Sequence, residues 1–146
     1  FEIVNDSMNG YQMVEAIRRW VHEHIKYEYD RSTSSTSALD TLEARHGVCR
    51  DLSHLAIALC RSINIPARFV TGYLYDLKPM DMHALFEAYL GDRWYAFDAT
   101  QALVTGGRVI LAYGRDAADV ATATYFGDIR LENMFVGVEQ VNTRAD

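Results

Sequence analysis

Two strand-like runs, Met82–Leu90 and Arg93–Phe97, are separated only by Gly91-Asp92, and this spacing constrains the chain more than any other feature. A two-residue loop with Gly first suits a type II′ turn, whose twist matches that of an antiparallel pair. Such a turn fixes the register. Leu90 then pairs with Arg93, His83 falls opposite Thr100, and Asp98 falls opposite Leu85. Side chains alternate between faces along a strand, so His83, Leu85, Asp98 and Thr100 share one face. His83 and Asp98 become diagonal neighbours, roughly 7–8 Å apart at the backbone, within reach of an imidazole–carboxylate hydrogen bond. A loop one residue longer would reverse this facing.

Upstream of the hairpin the periodicity is helical. Met13, Val14, Ile17, Trp20 and Val21 recur at helix spacing within residues 11–24, with Glu15, Arg18, Arg19 and Glu23 opposite. Residues 25–29 alternate as an extended segment, and the Ser/Thr-rich 31–37 reads as a loop. Ser37-Ala38-Leu39-Asp40 opens a short helix through Ala44. A longer helix is expected over 49–63, where Asn64 stops it in a left-handed conformation and Pro66 prevents its resumption. A strand over 67–75 follows. Beyond Asp98 the spacing predicts a strand over 109–113, a helical turn over 116–121 and a last strand over 134–141. The fold class is α+β, with early helices packed on a later antiparallel sheet.

A length of 146 residues fits one domain, able to bury roughly 68–70% of its unfolded surface. The net charge of -6, with basic residues scattered, argues against a nucleic-acid partner, because phosphate binding needs a positive surface. No apolar run approaches the roughly 20 residues of a membrane span. The sequence opens on Phe1 rather than Met, as a piece of a longer or processed protein would. No residue pattern assigns an oligomeric state.

Cys49 and Cys60 are the two cysteines, and they fall on one predicted helix. Eleven positions correspond to roughly 16 Å of rise, beyond the roughly 7 Å Cα limit for a disulfide. Two free thiols favour a reducing compartment, hence a cytoplasmic location. Cys60 lies in the apolar stripe and reads as core. Cys49 instead follows Gly47-Val48 at a helix start, where unpaired amides and the helix dipole favour a thiolate and could bind an oxyanion.

A cysteine nucleophile needs a base, and the base needs an orienting group. His83 and Asp98 supply that pair from the hairpin. Other histidines fit less well: His54 points away from Cys49 on the same helix, His46 is a supporting candidate, and His22-Glu23-His24 lacks HExxH spacing. No Cys/His cluster suggests a metal, and the chemistry requires no cofactor. Tyr27, Tyr29 and Gln101 are candidates for a second oxyanion donor besides the Cys49 amide. Asp51 has two readings, an acid favoured by the helix dipole or a brace for the Cys49 loop, and the first is preferred. Tyr73 and Tyr75 could line a groove, although core-edge packing is the commoner use of tyrosine.

These residues resemble a known family. Gly47-Val48-Cys49-Arg50-Asp51 and Ile65-Pro66-Ala67-Arg68-Phe69-Val70-Thr71-Gly72-Tyr73 resemble the nucleophile helix and first strand of transglutaminase-like proteins. Asp81-Met82-His83-Ala84 and Trp94-Tyr95-Ala96-Phe97-Asp98-Ala99-Thr100 resemble their His and Asp strands. The likeness is strongest over residues 11–100 and extends more weakly through 115–120. It is closest to bacterial members described as cysteine proteases, which carry a β-rich domain before the catalytic one.

The resemblance implies a papain-like core with Cys49 as nucleophile, His83 as general base and acid, and Asp98 as the orienting carboxylate. It implies a peptide or protein amide as substrate and a thioester intermediate, with hydrolysis favoured over amine transfer. Animal crosslinking enzymes flank the cysteine with Gln and Trp, where this chain has Val48 and Arg50, which argues against crosslinking. Leu85 replaces an aromatic residue common in bacterial relatives, a change expected to alter the substrate groove. The competing reading is a non-catalytic interaction module that keeps the fold as a scaffold. A missing triad member would favour it, and none is missing.

Overall fold

The computed structural model describes residues 3–103, 106–121 and 123–141. Helix α1, Gly10–His24, starts at Asn9, whose side chain accepts from the Gln12 amide while the Gln12 side chain accepts from the Asn9 amide. This reciprocal cap satisfies two amides that a helix start leaves unpaired. Helix α2, Ala38–Ala44, repeats the device with Ser37 and Asp40, and ends on Arg45 in a left-handed conformation. Helix α3, Cys49–Ser62, is one residue shorter than the sequence indicates, and Asn64 stops the chain behind it at φ 61°.

A four-stranded antiparallel sheet follows: β3 Ala67–Leu74, β4 Met82–Leu90, β5 Arg93–Phe97 and β6 Arg108–Gly114, in spatial order β5-β4-β3-β6. The hairpin register is the expected one, with Leu90 against Arg93 and Phe86 against Phe97. Gly91 sits at φ 68° and Asp92 does not have positive φ, as a type II′ turn requires. The short strands β1 (Lys26–Tyr27) and β2 (His46–Gly47) pair in parallel. Local alternation in 25–29 suggested an extended segment, and only this long-range pairing determines which two residues form the strand.

The core lies between helices and sheet. Val14, Ile17 and Val21 of α1 and Leu52, Leu55, Ala56 and Cys60 of α3 pack on Phe69, Ala84, Phe86, Ala88 and Phe97. Phe86 and Phe97 stack with ring centroids 5.5 Å apart. Burying side chains of this size stabilises the fold by roughly 1.5–3 kcal/mol each. Cys60 is fully buried, as its place in the apolar stripe indicates, and burial pushes its thiol up to about 12.

Residues 117–120 form a 3-10 turn, shorter than the helical turn expected over 116–121. The strand expected over 134–141 does not form. That segment is irregular and pairs with no strand, and Phe135 is 92% exposed. Alternation specifies a strand only where a neighbour completes the ladder, and among the described residues none does. Among the described residues no helix is long and apolar enough to cross a membrane.

Candidate active site

The start of α3 is built around a buried carboxylate. Asp51 is 0% exposed; its Oδ2 accepts from the Val48 amide at 2.9 Å and its Oδ1 from Arg50 Nη2 at 2.9 Å. Arg50 Nη2 reaches onward to the Ser32 hydroxyl and, at 2.6 Å, to the Thr33 carbonyl. Asp51 therefore braces the Cys49 loop and ties it to the Ser/Thr-rich segment. The preferred sequence reading, an acid placed only to suit the helix dipole, is corrected: a solvated dipole partner need not be buried or hold three N–H···O contacts. Gly47 is required beside it, because a Cβ there would lie 2.7 Å from Asp51 Cβ.

His83 and Asp98 meet as the hairpin register requires. His83 Nε2 lies 2.7 Å from Asp98 Oδ2, and both residues are buried. The other carboxylate oxygen, Oδ1, accepts from the Thr100 amide at 2.8 Å and the Thr100 hydroxyl at 2.7 Å. Thr100 thus completes the acid's hydrogen bonding. The register placed Thr100 beside His83 without assigning it this role, because the contact needs the turn of the chain after β5.

Helix α1 fastens the same turn. Arg18 Nη1 donates to the Gln101 carbonyl at 2.5 Å, His22 Nδ1 lies 3.1 Å from the Ala99 carbonyl, and Arg18 is held by Glu15. Nothing in the periodicity of α1 marks Arg18 as buried; its partner Gln101 is 83 positions away.

The charges in the site favour an imidazolium. Burial disfavours the charged ring, but its hydrogen bonding to Asp98 and Cys49, and the charges of both, outweigh it and push the His83 pKa up to about 9. Burial likewise opposes ionisation of Asp98, yet His83 and Thr100 prevail and hold its carboxyl below the usual range. Nε2 is committed to Asp98, which leaves Nδ1 as the ring nitrogen available to Cys49.

Tyr27 is delivered to this centre by the β1–β2 pairing, which sets it beside Gly47. Its hydroxyl is held neutral far above the ordinary phenol range, mainly by burial, then by the charge of Cys49 and a hydrogen bond with Tyr29. A weaker backbone contact with Cys49 acts in the opposite direction. Tyr27 and Tyr29 meet edge to face at 5.3 Å.

Two cavities converge on Cys49, His83 and Met82. The larger, about 700 Å³, runs past Arg50, His54, Phe69 and the 3-10 turn. The smaller, about 470 Å³, is bounded by Tyr27, Tyr29, Asp81, Thr100 and Gln101. All three candidate oxyanion donors line the smaller cavity, which Cys49 also borders.

His54 contributes to the wall of the larger cavity, although its helical phase turns it from Cys49. Leu85 is buried and lines neither cavity, whereas Tyr73 and Tyr75 each line a smaller cavity of about 330 Å³. His46 pairs in β2 and leaves its buried Nδ1 without a hydrogen-bond partner. Among the described residues, no three His, Cys, Asp or Glu side chains gather as a metal site.

Comparison with known proteins agrees with this architecture. The family model described as the transglutaminase-like superfamily matches residues 1–99. An uncharacterised Mycobacterium leprae protein is 32% identical over 117 residues, covering 74% of this chain and 42% of its own length. A Cytophaga hutchinsonii crystal structure, named as a cysteine-protease candidate, is 51% identical with a TM-score of 0.79, covering 82% of this chain and 42% of that one. The chain thus spans about two-fifths of the length of these relatives. A crystal structure of a transglutaminase, 19% identical with a TM-score of 0.55 over 68% of this chain and 28% of its own, shares the fold. Together the family match and the Cytophaga relative support a cysteine-dependent catalytic role. On the family match over most of its length, the chain belongs to the transglutaminase-like superfamily.

Proposed function

We propose that this chain cleaves amide or peptide bonds by thiol acyl chemistry, with Cys49, His83 and Asp98 as its triad. The observation that carries the reading is one buried imidazole bonded to Asp98 at 2.7 Å, with its other ring nitrogen left for Cys49, which borders the same two cavities. A thiolate–imidazolium pair supplies both the nucleophile and the proton that the leaving amine needs.

The Cys49 thiolate attacks the carbonyl carbon, and the resulting oxyanion accepts hydrogen bonds from the Cys49 amide and the Tyr27 hydroxyl. Because Tyr27 keeps its proton throughout the working pH range, it can donate. The C–N bond breaks as His83 passes its proton to the departing nitrogen, leaving a thioester and a neutral ring. Water then attacks the thioester and gives a proton to His83; the S–C bond breaks, and the thiolate and imidazolium are restored. Cys49 is partly exposed between two cavities, so water reaches the thioester without a dedicated amine site, which favours hydrolysis over transfer.

The test is limiting iodoacetamide at pH 6, with the labelled cysteine mapped by mass spectrometry in the native protein and in His83→Ala. Selective labelling of Cys49 that slows at least ten-fold in the variant is expected. Slow labelling of both cysteines, unchanged by the substitution, would sink the reading and leave a scaffold.

A further inference from the structure

The larger cavity has a character of its own. Its floor is Phe69, Thr71 and Ala84 of β3 and β4, all buried, and its outer wall is the 3-10 turn. Ala117, Ala118 and Ala121 give that wall side chains of one carbon each, so the space is left open. At about 700 Å³ the cavity lies in the range of pockets that enclose a whole ligand group.

Among the described residues its rim offers no unpaired cation. Arg50 is bound to Asp51, Ser32 and Thr33, and Asp116 Oδ1 accepts from the Ala118 amide at 2.9 Å. An anionic side chain entering here would lose water and find no unpaired cation, whereas an apolar one gains by burial.

One side chain of α3 holds the wall in place. His54 Nε2 accepts the Ala117 amide at 3.0 Å, and its ring packs on Phe69 at 5.1 Å between centroids. Burial keeps this imidazole below its ordinary pKa, opposed by Asp116 and Asp51 and reinforced by Arg50 and Arg61, so the ring is neutral and can accept. Arg61 supports the wall from the far side through the Arg115 carbonyl at 2.7 Å.

Resting on the reading of Cys49 as nucleophile, we propose that this cavity is the specificity pocket of the site, that it takes a bulky uncharged side chain next to the reacting carbonyl, and that His54 is the positioning residue that sets its width through the 3-10 turn.

Three chloromethyl ketones test this on the whole chain: acetyl-phenylalanyl, acetyl-alanyl and acetyl-aspartyl. Each alkylation rate at Cys49 is read by mass spectrometry and divided by that of iodoacetamide on the same variant. The phenylalanyl reagent should exceed the other two by about 10–100-fold, the range that burial of one large apolar side chain provides. Ala118→Trp, at an exposed position, should fill the cavity and bring the phenylalanyl-to-alanyl ratio near one. His54→Leu, which cannot accept the Ala117 amide, should lower the ratio at least five-fold, and His54→Gln, which can, should retain most of it. Equal rates for all three reagents, a fastest aspartyl reagent, or a preference that survives Ala118→Trp would each overturn the proposal. Failure of iodoacetamide to label Cys49 would be a different result, since it removes the nucleophile on which the pocket depends.

Discussion

His83 Nε2 lies 2.7 Å from Asp98 Oδ2, and the second oxygen of that carboxylate is fully engaged by the amide and hydroxyl of Thr100. Asp98 therefore cannot rotate away without breaking three hydrogen bonds, and the imidazole inherits its orientation. An NMR titration of the His83 ring should give a pKa near 9. Asp98→Asn removes the charge and should lower it by at least one unit, with turnover falling about 10³-fold or more because the amide no longer stabilises an imidazolium. An unchanged ring titration would show that Asp98 does not hold the imidazolium.

The same pair makes stability depend on pH in a defined direction. His83 is raised above its ordinary 6.5, so its contribution is complete below that pH and is lost as pH rises through about 9. Asp98 is depressed, so its contribution is present above the ordinary carboxylate range and is lost on acidification through its lowered value. Urea midpoints should therefore be higher at pH 5.5 than at pH 9.5. Asp98→Asn should reduce that difference, and equal midpoints in the native protein would contradict the coupling.

Tyr27→Phe keeps the ring packing against Tyr29 and removes only the hydroxyl in the cavity shared with Cys49. Loss of one oxyanion donor typically costs about 10²–10³ in kcat. The expected result is such a loss in kcat with iodoacetamide labelling of Cys49 largely retained. Labelling lost together with kcat would mean that Tyr27 supports the thiolate rather than the oxyanion.

Asp51→Ala leaves Val48 N–H and the Arg50 guanidinium without their buried acceptor. Removing one partner of such a pair costs about 3–5 kcal/mol, which chemical denaturation would register directly. A loss below about 1 kcal/mol would return Asp51 to the role of a dipole partner.

Gly72→Ala tests the sheet rather than the site. A Cβ on Gly72 would overlap the Val109 carbonyl, where the β3–β6 register shifts between Thr71 and Gly72. Backbone must move to make room, at about 1–3 kcal/mol. A denaturation midpoint equal to that of the native chain would show that the bulge adjusts freely.

The local sequence determined the elements and one long-range relationship. Caps at Ser37 and Asn64, the apolar stripes of α1 and α3 and the Gly91-Asp92 turn are short-range signals, and each is met. The hairpin register follows from turn length and pleat alone, which is why His83 and Asp98 could be paired from spacing. Tertiary structure decided the rest, because the remaining contacts cross between segments that carry no mutual register. The parallel pairing of Lys26–Tyr27 with His46–Gly47 sets Tyr27 at Cys49, Arg18 reaches Gln101, and His54 meets Ala117 across 63 positions. The 134–141 segment shows the converse: its alternation was legible, but a strand needs a neighbour's hydrogen bonds, and the fold supplies none there.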